Sequence, residues 1–373
     1  MTKANQDGQP LVTVVVPAWN AEQTVAATLE SVASQTYRNL EIIVVDDGST
    51  DRTAAVAEAF CANESRARLI RKSNGGVASA RNCAISEARG DWVAPIDADD
   101  LWHPTKIEKQ VEAAYAAPDL PGFVYCWRRL IDRDDRIITS GERWALQGSA
   151  FRQLAYINVV ECGSSLLAWR EAVLEVGGYD ESLRASNAQG CEDMLLQLQL
   201  ARRFPVAVVR EHLVGWRQHD RNMSSDFDQM ARSCSLVFRR LAAAGTPVPA
   251  RAARWMKGRV AFEIAEERLA RGKFAAGFGS LARAVALDPL RCGIVLAHRA
   301  IRSANRRLNG TGRTEPLPRF DDADPTAVVA TDPHAIRGIA HLLQNIDKRR
   351  MSQLAIDETA LKHRSPDAVR AGQ

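Results

Sequence analysis

Unbroken apolar runs alternate with amphipathic stretches through the first hundred residues. Leu11 to Val16 and Leu40 to Val45 are almost wholly β-branched or aliphatic, and Arg68 to Arg71 is a shorter run of the same kind. Trp92 to Ile96 is a further apolar run. Runs without polar alternation are expected of parallel strands buried on both faces. Pro17 is expected to end the first. Between the runs, helical spacing predicts helices over 21–34, with Val25, Leu29 and Val32 on one face, over 54–60, and over 77–88, closed by Gly90. Repeated strand–helix units predict a parallel sheet with its ligand at the carboxyl ends of the strands. Phe123 to Trp127 and Gly163 to Leu167 read as further strands, followed by helices over 170–176 and 194–203.

Beyond residue 229 the pattern is helical. Helices are expected over 230–243, 251–270 and 275–287, where Gly272, Phe274, Ala282 and Ala286–Pro289 look like half of a tetratricopeptide-type hairpin. One such unit is too short for a solenoid, so a helical appendage is predicted. Residues 310–330 read as a linker, 332–350 as a helix and the last twenty as disordered. The expected division is a flexible tail (1–10), an α/β domain (11–229), a basic helical module (230–310), and a linker, short helix and tail (311–373).

Composition changes this picture little: 373 residues, 46% hydrophobic and 25% charged, fit an ordinary globular protein with room for two domains. The polar first ten residues lack the apolar core of a signal peptide, and no apolar run approaches the ~18 residues of a membrane span. Seven cysteines without a CxxC read as reduced thiols, which predicts a cytoplasmic setting. Charge adds more. Net charge is −8 over 1–229, +12 over 230–310 and zero over 311–373, for a total of +4. Anionic lipid headgroups or a phosphate-bearing acceptor would suit the basic module, as would a merely solvated face. Peripheral contact with the inner face of a membrane is therefore among the expectations, whereas nucleic acid is disfavoured because no recognition motif accompanies the charge.

Candidate chemistry gathers at the predicted strand ends. Asp97, Asp99 and Asp100 follow the fourth strand within four residues. Carboxylates so close repel one another, and hard oxygen ligands suit Mn2+ or Mg2+, which keep waters and bind phosphates. Asp46-Asp47-Gly48-Ser49 ends the second strand and Pro17–Asn20 the first. Each motif alone is compatible with a capped turn; their convergence on one edge argues for a nucleotide site. Glu192 and Asp193 open a helix, where they either favour its positive end or supply a general base.

Taken in order, Pro17–Asn20, Val44–Asp51, Asn74–Asn82, Asp97–Asp100, Gly177–Asp180, Cys191–Asp193 and Trp216–His219 resemble the signatures of family 2 glycosyltransferases. The resemblance covers about residues 10–225. It implies an inverting enzyme of GT-A fold, a Rossmann-like, mostly parallel sheet flanked by helices. It also implies that Asp46 and Asp47 contact the nucleoside, that Pro17, Ala18 and Trp19 line the base pocket, and that Arg81 lies near the donor diphosphate. Asp99 then matches the metal ligand, Asp97 the residue touching ribose or the metal's waters, and His219 a further metal or phosphate ligand. Asp193 matches the general base, with Glu192 on the acceptor side. The aromatics Trp144, Phe151 and Tyr156 either stack on sugars or belong to the core. The function expected is metal-dependent transfer from a nucleotide sugar, a UDP-sugar by first choice, to a glycan or lipid-linked acceptor in surface polysaccharide or glycoconjugate synthesis. A non-catalytic nucleotide-sugar-binding scaffold is the alternative in another class. A nucleotidyltransferase is the other enzyme reading, although Pro17–Asn20 replaces the Gly-rich basic loop it would need.

Overall fold

A computed structural model describes residues 8–219, 222–223, 226–245, 248–309, 318–328 and 337–364. The chain divides into two compact units. The first comprises residues 1–148, 159–225 and 316–331, and the second 149–158, 226–315 and 332–373.

Among the described residues, the first unit holds a nine-stranded sheet. Its strands are β1 (Val12–Ala18), β2 (Leu40–Asp46), β3 (Ala67–Arg71), β4 (Trp92–Pro95), β5 (Leu101–Trp102), β6 (Phe123–Ile131), β7 (Ile137–Ser140), β8 (Leu166–Trp169) and β9 (Val206–Arg217). They lie in the order β3-β2-β1-β4-β8-β6-β9-β5, with β7 added to β6. The first four are parallel, β8 is antiparallel to both neighbours, and β9 runs parallel to β6. Every residue of β1 and β2 is buried, as their unbroken apolar sequences require. Helices α1 (Val25–Ala33), α2 (Thr53–Asn63), α3 (Val77–Ser86) and α4 (Lys106–Ala116) make the crossovers. In α1 the buried residues include Val25, Leu29 and Val32, the face read from the sequence.

Pro17 does not end β1. It pairs with Val45, and Ala18 pairs with Asp46. Val15 accepts a bond from Ile96 on the β4 side, so the alternating ladder turns Pro17 toward that side as well. Pairing with β4 stops at Val15–Pro95, and the missing proline N–H therefore costs no ladder bond. Strand β9 escapes a pattern reading because Arg210 and Glu211 interrupt its apolar run. The register jumps from Cys126–Val209 to Trp127–His212, which places those two residues in a bulge.

Residues 318–328, expected as linker, instead form an ordered strap on the first unit. Phe320 is buried with Leu101, Ile131 and Ile137. The buried Arg129 donates to the carbonyl oxygens of Ala323, Asp324 and Ala327. One aromatic anchor and one guanidinium hold a segment whose composition is that of a loop.

The second unit is helical, with helices Phe151–Tyr156, Phe227–Ala243, Ala250–Ala270, Phe274–Leu287, Pro289–Asn309 and Arg337–Arg364. Gly272, at φ +73°, makes the turn between the third and fourth of these. Ala261, Phe262, Ala284 and Cys292 form a small core. A buried polar knot ties the unit together. Tyr156 donates to Asp347, Arg259 lies 3.1 Å from Asp347, and Arg350 grips Asp288 through two bonds of 2.5 and 2.7 Å. Residues 149–158, read from sequence as part of the first domain, join this unit through that tyrosine. The final helix runs to Arg364, so residues 354–364 are ordered where disorder was expected; the rest of the tail and positions 1–7 lie outside the described residues. All seven cysteines are free thiols. No helix among the described residues is long and apolar enough to cross a membrane.

Candidate functional site

The carboxyl ends of β1, β2 and β4 carry the first group of candidates. Gly48 stands at φ +74°, and a Cβ there would meet the Asn74 nitrogen at 2.8 Å, so only glycine lets the 72–76 loop lie across the end of β2. Asp47 organises that loop. Its carboxylate accepts from Lys72 Nζ at 2.7 Å and from the backbone N–H groups of Gly75 and Gly76 at 2.9 and 2.7 Å. Asp46 accepts from the Ser49 N–H at 3.2 Å. Both carboxylates are buried and turned into the protein, so they shape the wall expected to meet a nucleoside. Pro17 and Ala18 are likewise enclosed in β1, whereas Trp19 is 58% exposed at its tip.

The aspartate cluster after β4 has three different fates. Asp100 is fully buried, accepting from Ser164 Oγ at 2.5 Å and from the Arg217 N–H at 3.0 Å. Burial, then the charges of Asp99 and Asp97, push its carboxyl well above the usual range, which favours the neutral form and relieves repulsion. Asp97 gives Oδ1 to Arg81 Nη2 at 2.6 Å, and its backbone N–H donates to Ser164 Oγ. Burial raises its carboxyl against the opposing pull of Arg81. Asp99 remains partly exposed, with His219 Nε2 2.8 Å from its Oδ2.

A carboxylate and an imidazole in contact suit a divalent cation whose other positions are filled by water and diphosphate oxygens. Among the described residues no group of three or more His, Cys, Asp or Glu is placed to hold a metal. Asp97, expected to share the ion, is instead engaged with Arg81. The fit is therefore to a cation that a bound nucleotide helps to hold.

Arg81 itself is buried, although its expected place was beside the diphosphate. Its guanidinium bridges Asp97 and Glu192 (Nη1 to Oε1, 3.1 Å) and lies over the Tyr179 ring at 5.1 Å. A planar fork between two carboxylates is the geometry for which arginine is suited. Glu192 accepts in addition from the Gly190 N–H at 2.8 Å. It opens the helix Glu192–Arg203, and Asp193 Oδ1 accepts from the Met194 N–H at 2.6 Å. Burial, reinforced by Glu192 and opposed by Arg81, lifts the Asp193 carboxyl to about 7. A cleft lined by Gly75, Gly76, Val77, Arg184, Gln189 and Glu192 lies alongside. Arg81 thus bridges Asp97 and Glu192, the first lying two residues before Asp99, which meets His219, and the second next to Asp193.

Lys72, Ser164, Tyr179 and Arg217 were not singled out from sequence, although each lies inside or beside a quoted motif. Arg217 also donates to the Asp99 carbonyl oxygen at 2.7 Å. Trp144, Phe151 and Tyr156 are buried, which places them in cores and away from any sugar-stacking surface.

Residues 13–177 match the sequence model of glycosyl transferase family 2. Over those residues the chain is similar to family 2 glycosyltransferases. An uncharacterised glycosyltransferase of Rickettsia typhi is 29% identical over 214 residues, 57% of this chain and 65% of that protein. The UDP-Glc:alpha-D-GlcNAc-diphosphoundecaprenol beta-1,3-glucosyltransferase WfaP of Escherichia coli is 43% identical over 102 residues, 27% of this chain and 40% of its own length. The chain thus spans less than two thirds of either relative. Among solved structures, the mannosyltransferase PcManGT of Pyrobaculum calidifontis, in complex with GDP-Man and Mn2+, superposes with a TM-score of 0.51 at 20% identity. That match covers 78% of this chain and 80% of the other. The fold of the first unit is that of GT-A glycosyltransferases, a mixed sheet flanked by helices, and the C-terminal region is helical.

Proposed function

We propose that this protein is a metal-dependent, inverting glycosyltransferase. It moves a sugar from a nucleotide donor, a UDP-sugar by first choice, to a hydroxyl of a glycan or lipid-linked acceptor in cytoplasmic steps of surface polysaccharide or glycoconjugate synthesis. The observation that carries the reading is the bridge of Arg81 between Asp97 and Glu192, which brings together the segment that holds the Asp99–His219 pair and the segment that holds Asp193. The names of the relatives support it: WfaP is a glucosyltransferase acting on a diphosphoundecaprenol-linked sugar.

Asp193 takes the proton of the acceptor hydroxyl as that oxygen attacks the anomeric carbon, and the nucleoside diphosphate leaves from the opposite face. A single displacement inverts the centre and needs no carboxylate nucleophile. Asp99 and His219 hold Mn2+ or Mg2+, which when bound supplies charge neutralisation to the departing diphosphate. Trp19 offers a flat face to the base, the loop held by Asp46 and Asp47 borders it, and Asp97 faces the ribose. Glu192, fixed by Arg81, sets the entry of the base-bearing helix on the acceptor side.

The test is a panel of nucleotide sugars (UDP-glucose, UDP-N-acetylglucosamine, UDP-galactose and GDP-mannose) incubated with protein, Mn2+ and candidate acceptors, read as released nucleoside diphosphate. Release from at least one donor, abolished by chelator, is expected. Nucleotide binding without turnover on any donor would favour the scaffold reading.

A further inference from the structure

We propose that helix Phe274–Leu287 in the second unit is a docking face for an anionic lipid bilayer. This goes beyond sugar transfer and does not depend on it. On that helix Gly277 and Ala284 are buried, and Leu281 packs partly against the small core of the unit. The side adjoining that face is apolar and open. Phe274 is 62% and Phe278 60% exposed, and Ala282 and Val285 are exposed as well. Positions 274, 278, 282 and 285 fall on one stripe of a 3.6-residue helix, so the aromatic rings and aliphatic groups form a continuous patch. Single exposed apolar side chains are ordinary; two phenylalanines on one stripe of a surface helix call for a partner.

Charge identifies that partner. Residues 230–310, which include this helix, carry a net charge of +12 with their four acidic residues counted, one of them Asp288. Asp288 is buried and already held by Arg350, so it offers nothing to solvent. Lys273 is exposed just before the helix, as is Arg271, which pairs with Glu267. Leu290, at the start of the next helix, is also exposed. A second copy of the chain would bring one strongly positive surface against another. A bilayer with anionic headgroups accepts the rings into its acyl boundary and the arginines at its surface.

The experiment is sedimentation of the full chain with vesicles of phosphatidylcholine containing 30% phosphatidylglycerol, compared with pure phosphatidylcholine, in about 0.1 M salt. Binding to the anionic vesicles alone is expected, weakened at least tenfold in the F274S/F278S variant and also weakened in K273E. Both variants change exposed side chains, so circular dichroism melts and turnover on a soluble acceptor should match the parent. Equal binding of parent and F274S/F278S, or no sedimentation with anionic vesicles, overturns the proposal. A concentration-dependent dimer in analytical ultracentrifugation that F274S/F278S abolishes, without vesicle binding, assigns the face to a second copy and overturns it as well. Loss of donor turnover in the parent would bear on the transferase reading and leave this result intact.

Discussion

Replacing Asp193 by Asn tests the chemistry and the electrostatics of the site together. The amide keeps an oxygen to accept the Met194 N–H, so the helix entry is preserved. What disappears is the titrating carboxyl, which the folded protein lifts from 3.8 to about 7, mainly by burial. Folding favours the neutral acid, so the stability linked to this group is complete below about pH 4 and is lost as pH rises through 7. At 1.36 kcal/mol per pH unit the loss above pH 7 is at most ~4 kcal/mol, and solvent at this half-buried group screens it to about 1–2 kcal/mol. Asp193→Asn should therefore raise the melting temperature at pH 8 by about 2–6 °C, with little change at pH 4. Turnover should move the other way. The parent's rate should climb with pH through about 7, as the base deprotonates, and the variant should lose ~100-fold or more together with that rise. Donor binding, followed by quenching of tryptophan fluorescence with the nucleoside diphosphate, should stay near normal. Near-parental turnover would remove Asp193 from the role of base, and a lowered melting temperature at pH 8 would refute the burial argument.

Asp99→Asn and His219→Ala should each weaken Mn2+-dependent nucleotide binding by at least the ~10–100-fold that outer partners of metal sites cost, as titration calorimetry with and without chelator would show. Identical affinities in chelator and Mn2+ for the parent would exclude the Asp99–His219 pair as a cation site. Trp19→Ala should leave the melting temperature unchanged, because the ring is exposed, while nucleotide affinity falls by the ~1–3 kcal/mol of base–aromatic stacking. Asp47→Ala should do the reverse at the level of stability, stranding Lys72 and two backbone N–H groups and lowering stability by about 3 kcal/mol in urea unfolding. Gly48→Ala, forced to positive φ against the Asn74 backbone, should cost ~1–3 kcal/mol and be worse than Gly245→Ala, where nothing lies within 4 Å of the added carbon.

The order of elements in the first unit was written in the sequence because buried parallel strands and amphipathic helices have different periods, and both are local properties. Leu11 to Val16, Leu40 to Val45 and the Val25–Leu29–Val32 face became β1, β2 and α1 with shifts of a few residues at their ends. The gathering of Asp46, Asp97 and Asp99 at one sheet edge followed from the same pattern, since every parallel strand delivers its carboxyl end to one side. Pairings between residues far apart in the chain were not legible. Arg81 meets Glu192 across 111 positions and His219 meets Asp99 across 120. Nothing in the neighbourhood of Arg81 says that its fork will be enclosed by two carboxylates. Likewise only packing decides that Asp100 is fully buried while Asp99, one residue earlier, stays partly open, or that Phe320 pins a loop-like segment to the sheet. Local sequence sets which conformation each segment prefers; the depth at which a charge is buried, and therefore what it can do, depends on neighbours that only the fold supplies.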